Sequence, residues 1–244
     1  MNKFYREQKV ELFYFTSPYC YDCWDQEPYL NKFLQLYEDY IDLHIIMAPC
    51  PSGIEDLKVS SLPVKAFRVF SAIYPGRSLS FLKFLRSAIF DEKADLSCQE
   101  SLEDLIQGFG ERAGEILERS VSDEGQNRIE EDRKLAQRFE IKTLPSFALV
   151  QQGRRALVSG RLEEEVLEDK LQEILGFKPE AGKIRELGEE LRQSYRLYPR
   201  DLKLLYDLEE DQLLDYVEEK LKPEDYRWVD YEGGFYLEVN HEKL

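Results

Sequence analysis

The stretch "FTSPYCYDCWDQEP", residues 15–28, decides how this chain reads. Just ahead of it, "KVELFYF" (9–15) is an apolar and aromatic run that stops at Thr16, Ser17 and Pro18, the profile of a buried strand closed by a turn. Beyond it, Leu30, Phe33, Leu34 and Tyr37 recur at helical spacing. This predicts a helix from Tyr21 to about Tyr40, kinked where Pro28 removes a backbone donor. "IDLHIIMA" (41–48) then reads as a second strand, so the opening is β-α-β with Cys20 at the strand-to-helix turn. At a helix start, unpaired N–H groups and the helix dipole favour a thiolate. Cys20 is therefore the candidate attacking thiol. Cys23, one turn on, is the candidate resolving thiol of a redox pair. The same spacing also serves as half a zinc site.

Residues from about 61 to 140 read as helical almost throughout, with apolar positions recurring at Phe67, Phe70 and Ile73 and at Phe81, Leu82, Leu85 and Ile89. They continue at Leu102, Leu105, Ile106 and Phe109, at Ile116 and Leu117, and in a helix expected over Ile129 to Phe139. "SFALVQQGRRALVSG" (146–160) is a hairpin signal, and a helix is expected from Glu163 to Leu175, stopping at Gly176. The order β-α-β, helices, β-β-α is that of an α/β, thioredoxin-like domain with a helical insertion. Thr143, Leu144 and Pro145 stand just before a strand, where that fold places a cis-proline loop opposite the cysteines. The exposed backbone of such a loop can pair with an extended partner segment, so Leu144 is a candidate partner-binding residue. Trp24 is another, although an aromatic side chain at that place also reads as packing.

The composition shifts after "GFKPEAG". Residues 179–244 hold 10 Lys and Arg against 18 Asp and Glu, a net −8 and half of the chain's −16. A helix over about Glu209 to Leu221, then Pro223, then the aromatic alternation of "YRWVDYEGGFYLEV" about Gly233 and Gly234, predict a small winged-helix-like α+β module. The expected organisation is a first domain over 1–178, with its insertion at about 55–140, and this module over 179–244.

At 244 residues and 43% hydrophobic content the chain can bury a substantial core without covalent staples. No run approaches the length of a membrane span, the first residues lack the pattern of a secretory signal, and a cytoplasmic location is expected. A charge of −16 repels phosphates, which argues against nucleic acid and anionic membranes and for protein partners. With four cysteines in a reducing compartment, any disulfide should be transient. Cys50 and Cys98 read as ordinary thiols, and only the first pair has ligand spacing, so no metal and no cofactor is expected. His44 in a strand and His241 in the tail make no Cys-His arrangement. Asp22, Asp25 and Glu27 oppose a thiolate at Cys20, and a glutathione-buffered compartment would reduce an oxidase.

The sequence resembles the SpxH (YjbH) proteins. The residues that carry the resemblance are "CYDCWDQEP" (20–28), "SLPVKAF" (61–67), "TLPSFALV" (143–150), "LQEILGFKPE" (171–180) and "YEGGFYLEV" (231–239). The cysteine and proline motifs are common to DsbA-like oxidoreductases. The Trp24 and Glu27-Pro28 positions, the "GFKPE" junction and the C-terminal module point to the adaptor branch. The resemblance implies a DsbA-like domain in an adaptor that presents the transcription regulator Spx to the ClpXP protease. Tyr21 replaces the family's proline, and the His- and Cys-bearing N-terminal extension of some members is missing, so the zinc binding attributed to that family is not expected here. The alternative is a cytoplasmic thiol-disulfide oxidoreductase acting through Cys20 and Cys23.

Overall fold

The computed structural model describes residues 9–49, 61–110, 112–163 and 165–240. The central sheet is built from β1 (Val10–Thr16), β2 (Ile41–Met47), β3 (Ser146–Gln151) and β4 (Arg154–Ser159), in the order β2-β1-β3-β4. β2 runs parallel to β1 with Val10 opposite Ile41, as a β-α-β crossover requires, and β3 runs antiparallel with Phe15 opposite Ser146. β1 is sealed from water on both faces toward its end, where Tyr14, Phe15 and Thr16 are all buried. Its last residues feed the turn that carries Cys20.

The crossover is made of two helices where one kinked helix is expected. α1 (Tyr21–Asp25) stops at Gln26, and α2 (Glu27–Tyr37) restarts with Pro28 in its first turn. Proline is tolerated there because a first-turn N–H has no intrahelical acceptor. The freed Gln26 side chain accepts the Leu162 N–H at 2.7 Å and ties the break to the loop before the last helix of the domain.

The insertion comprises α3 (Leu62–Ile73), α4 (Ser78–Phe90), α5 (Gln99–Gly108), α6 (Ala113–Val121) and α7 (Asp123–Arg138). α7 begins two turns before the expected Ile129, because Ser122 caps it through the Glu124 N–H and acidic residues fill its first turn. Gly125 is required at this start: a Cβ there would fall 2.2 Å from the Ser120 carbonyl oxygen. The insertion also closes the outer edge of the sheet. Asp132 accepts the Met47 N–H at 2.9 Å, Arg68 donates to the Ile45 carbonyl at 3.2 Å, and the two side chains pair at 2.7 Å. Edge-strand groups that would otherwise invite another chain are thereby satisfied.

Burial pushes the Asp132 carboxyl up to about 7, against the downward pull of Arg68 and the Met47 N–H. The folded state thus holds a proton that an unfolded Asp releases near pH 4, so this group's contribution to stability is full below about 4 and is lost as pH rises to about 7. Unfolding midpoints in urea, measured from pH 4.5 to 8, should fall over this window in the native chain and flatten in Asp132→Asn. An unchanged slope in the variant would place the titration elsewhere.

α8 (Val166–Leu175) starts three residues after the expected Glu163, because Glu165 sits in the left-handed region at φ +69°, and it ends at Gly176. The remaining residues form α9 (Leu187–Ser194), β5 (Arg196–Leu197), α10 (Pro199–Tyr206), α11 (Leu213–Lys220), β6 (Tyr226–Tyr231) and β7 (Gly234–Val239), with sheet order β5-β7-β6. Sequence periodicity marks only the last of these helices, expected from about Glu209; Glu210–Gln212 form a 3-10 turn instead, and α11 starts at Leu213. Leu187, Leu191, Leu197, Leu202, Leu213, Val217 and Leu237 make a second core distinct from that of the central sheet.

Candidate functional site

The Thr16–Tyr19 turn delivers Cys20 as the N-cap of α1, its Sγ accepting the Cys23 N–H at 3.1 Å. Cys20 and Cys23 are joined in a disulfide, with their Cα atoms 5.2 Å apart. Cys23 is wholly buried, and Cys20 keeps only 5% of its surface. Thr143 is exposed, and its carbonyl accepts the Ser146 hydroxyl at 2.7 Å; the Leu144–Pro145 peptide that follows is cis. Leu144 packs in one cluster with both cysteines, Phe15, Ile46 and Ala148. The pair and the proline loop therefore lie against each other, an arrangement able to exchange a disulfide with a partner thiol at Cys20.

The electrostatics of the pair differ from the bare sequence. Asp22 faces solvent, but Asp25 lies 3.2 Å from Arg161 and 3.7 Å from Arg200, and Glu27 is buried 2.5 Å from Arg86. Two of the three acids expected to oppose a thiolate are thus offset by cations. Arg86 is fully buried; it also donates to the Ser17 carbonyl at 2.9 Å and to Thr16 Oγ1, which fixes the turn that aims Cys20. Desolvation outweighs the Arg86 charge and holds the Glu27 carboxyl above the usual carboxylate range. Sequence reasoning missed Arg86. Its signal is a cation one turn from both Leu82 and Ile89, on the apolar stripe of "SLSFLKFLRSAIF" (78–90).

Trp24 is 3% exposed and packs within the chain: it stacks on Phe90 at 5.0 Å and meets Tyr198 edge-on at 5.5 Å. Its aromatic surface joins α1 to the C-terminal residues. That junction is polar as well. The Tyr198 hydroxyl bonds Ser87 at 2.7 Å and Asp91, Lys83 pairs with the buried Asp201 at 2.8 Å, and Arg196 reaches Ser87 and Glu92. A second anchor is Glu190, wholly buried, which accepts from Asn31 at 2.8 Å, Gln35 at 3.0 Å and Arg185 at 2.9 Å.

Cys98 is exposed at the N-cap of α5, where backbone N–H groups lower its pKa. His44 stacks on Phe13 at 4.9 Å and lies 3.6 Å from Glu11. Cys50 and His241 lie outside the described residues. Among the described residues no group of three or more His, Cys, Asp or Glu side chains is placed to hold a metal ion, and no helix is long and apolar enough to cross a membrane.

A strand, a capped Cys-x-x-Cys, a cis-proline loop and an inserted helical layer define a DsbA-like protein of the thioredoxin fold. Solved structures agree: a protein assigned as a disulfide isomerase from Nitrosomonas europaea superposes with a TM-score of 0.57 at 15% identity, over 69% of this chain and 96% of its own. The cytosolic disulfide reductase DsbM from Pseudomonas aeruginosa does so with a TM-score of 0.50 at 18% identity, over 61% of this chain and 89% of its own. Within that class the chain is SpxH-like. It is 21% identical to the ClpXP adapter protein SpxH of Halalkalibacterium halodurans over 89% of this chain and 83% of that protein. It is likewise 21% identical to the SpxH of Bacillus subtilis over 88% of this chain and 83% of that one. No protein-family model matches the chain.

Proposed function

We propose that this protein is a cytoplasmic adaptor that binds a regulator of the Spx type and promotes its proteolysis by ClpXP. One observation carries the reading. The SpxH adaptors align with 88–89% of the chain, whereas the DsbA-like structures cover 61–69% of it. The likeness to the adaptors therefore extends past what the oxidoreductase fold accounts for. Residues 179–244 are, on this reading, the adaptor's own module, docked on the thioredoxin-like domain. An adaptor raises the effective concentration of its client at the protease, which needs surfaces and no reactive centre. The net charge of −16 would steer basic client surfaces inward.

The second reading, a thiol-disulfide oxidoreductase with Cys20 as nucleophile and Cys23 as resolving thiol, is favoured by the Cys20–Cys23 disulfide beside the Leu144–Pro145 loop. Replacing both cysteines with Ala separates the two. The variant should accelerate ClpXP degradation of purified Spx as well as the native chain does, while exchange with a small-molecule disulfide is lost. Loss of the acceleration along with the exchange would favour the oxidoreductase. Failure of the native chain to bind Spx or alter its turnover would end the adaptor reading.

A further inference from the structure

A groove of about 540 Å³ opens where α1, the end of α4, the start of α10 and the β6–β7 turn meet. It starts one residue from the disulfide, at Tyr21, which is 60% exposed and touches Phe90 edge-on at 5.6 Å. Trp24, Tyr198 and Tyr231 continue its aromatic lining, a surface suited to one large apolar side chain.

Among the described residues, two hydrogen-bond donors in this lining have no acceptor: the Trp24 indole Nε1 and the Arg200 Nε, both buried. A buried donor left unsatisfied loses its hydration without a replacement, a cost that an incoming acceptor removes. Arg200 covers the indole: its guanidinium lies 4.8 Å over the Trp24 ring and 5.4 Å over the Tyr198 ring, with its ion-pair partner Asp25 3.7 Å away. Movement of Arg200 would uncover the indole.

The surrounding charge selects the acceptor. Asp91, Glu210 and Glu232 line the groove against Lys93 and Arg200, in a chain whose net charge is −16. A carboxylate or phosphate would be repelled; a neutral main-chain carbonyl flanked by cations would be drawn in. We infer that the groove captures an extended peptide segment of a protein partner, with basic residues at its flanks. The peptide seats an aromatic side chain against Tyr21 and Phe90 and a backbone carbonyl on the Trp24 indole N–H. The inference rests on the adaptor reading for the nature of the occupant and assigns the place where the client is held.

The chain has two tryptophans, so its ¹H–¹⁵N spectrum holds two indole resonances and reports on the groove directly. The full-length ¹⁵N-labelled protein is titrated with a short acetylated and amidated peptide carrying a central phenylalanine and lysines at both ends. The Trp24 resonance should move downfield and saturate while that of Trp228 stays in place. Tyr21→Ala, a change at an exposed side chain, should weaken binding about tenfold, and so should alanine at the peptide's phenylalanine. A peptide with glutamates in place of the lysines should not bind. A stationary Trp24 signal, equal binding by Tyr21→Ala, or equal binding of the acidic peptide overturns the inference. Degradation of Spx by ClpXP is followed in parallel. Normal acceleration with a stationary Trp24 signal sinks the groove and leaves the adaptor standing; a saturable Trp24 shift without acceleration does the reverse.

Discussion

Arg86→Met should destabilise the protein by about 3–5 kcal/mol at pH 8, the range found when one partner of a buried ion pair is removed. Methionine keeps much of the arginine stem's volume, so the loss reports the charge and the hydrogen bonds it makes, not a cavity. Glu27, 5% exposed and paired with Arg86 at 2.5 Å, would be left as an uncompensated buried carboxylate, and Ser17 O and Thr16 Oγ1 would lose their donor. The escape for Glu27 is to take up a proton. Its pKa, already raised by desolvation, would rise further without Arg86, so the variant's deficit should shrink as pH falls toward 5 and grow as pH rises. Urea titrations at pH 5.5 and pH 8 test both the size and the sign. Pairing Arg86→Met with Glu27→Leu removes both charges and should recover most of the loss. A deficit below about 1 kcal/mol at pH 8 would mean that Glu27 is already protonated beside Arg86 and that the pair is an ordinary hydrogen bond. Because Arg86 also holds the turn before Cys20, a faster reduction of the Cys20–Cys23 disulfide in the variant would show that the same pair positions the cysteines.

The parts of this molecule that were legible in the sequence are those whose cause is local. "KVELFYF" followed by Thr16-Ser17-Pro18 marks a strand and a turn within a few residues, and the cysteines, the Leu144-Pro145 step and the hairpin about Gly153 are equally short-range signals. Helix starts were less legible. The first two turns of α7, Asp123 to Arg128, are polar, so apolar periodicity begins only at Ile129, although Ser122 already marks a cap. What could not be read was the junction between the central sheet's domain and the C-terminal residues. Trp24 is one turn from the candidate chemistry and Tyr198 lies in a weakly periodic stretch, and nothing local says that their rings meet. The same holds for Glu190, whose partners Asn31 and Gln35 are far back in the chain. A buried carboxylate in the sequence looks like any other surface acid until its donors are brought to it.

Tyr198→Ala tests whether that junction is a true union of two cores. The ring is 3% exposed, stands against Trp24 at 5.5 Å and Tyr236 at 5.5 Å, and carries a hydroxyl bound to Ser87 and Asp91. Truncating a buried aromatic typically costs about 3–5 kcal/mol, from lost burial and the cavity that remains. Here the cost has a direction. The core built on Leu191, Leu202, Val217 and Leu237 does not include Tyr198, so the C-terminal elements should keep their own packing while losing their seat on α1 and α4. Hydrogen exchange should therefore report lost protection at Trp24, Phe90 and the linking residues 177–186, with β1, β3 and the helix α11 still protected. Tyr198→Phe keeps the ring and removes only the hydroxyl. It should cost about 1 kcal/mol and leave the junction closed, because Asp91 lies close enough to the surface to find water. If Tyr198→Ala instead lowers protection evenly across the sheet and the C-terminal helices, the two cores unfold as one, and the junction is part of a single cooperative unit. On the adaptor reading the first outcome carries a further consequence. A module that swings free of α1 breaks the groove between Tyr21 and the β6–β7 turn, so Tyr198→Ala should lose client delivery even where its thioredoxin-like half remains folded and its disulfide intact.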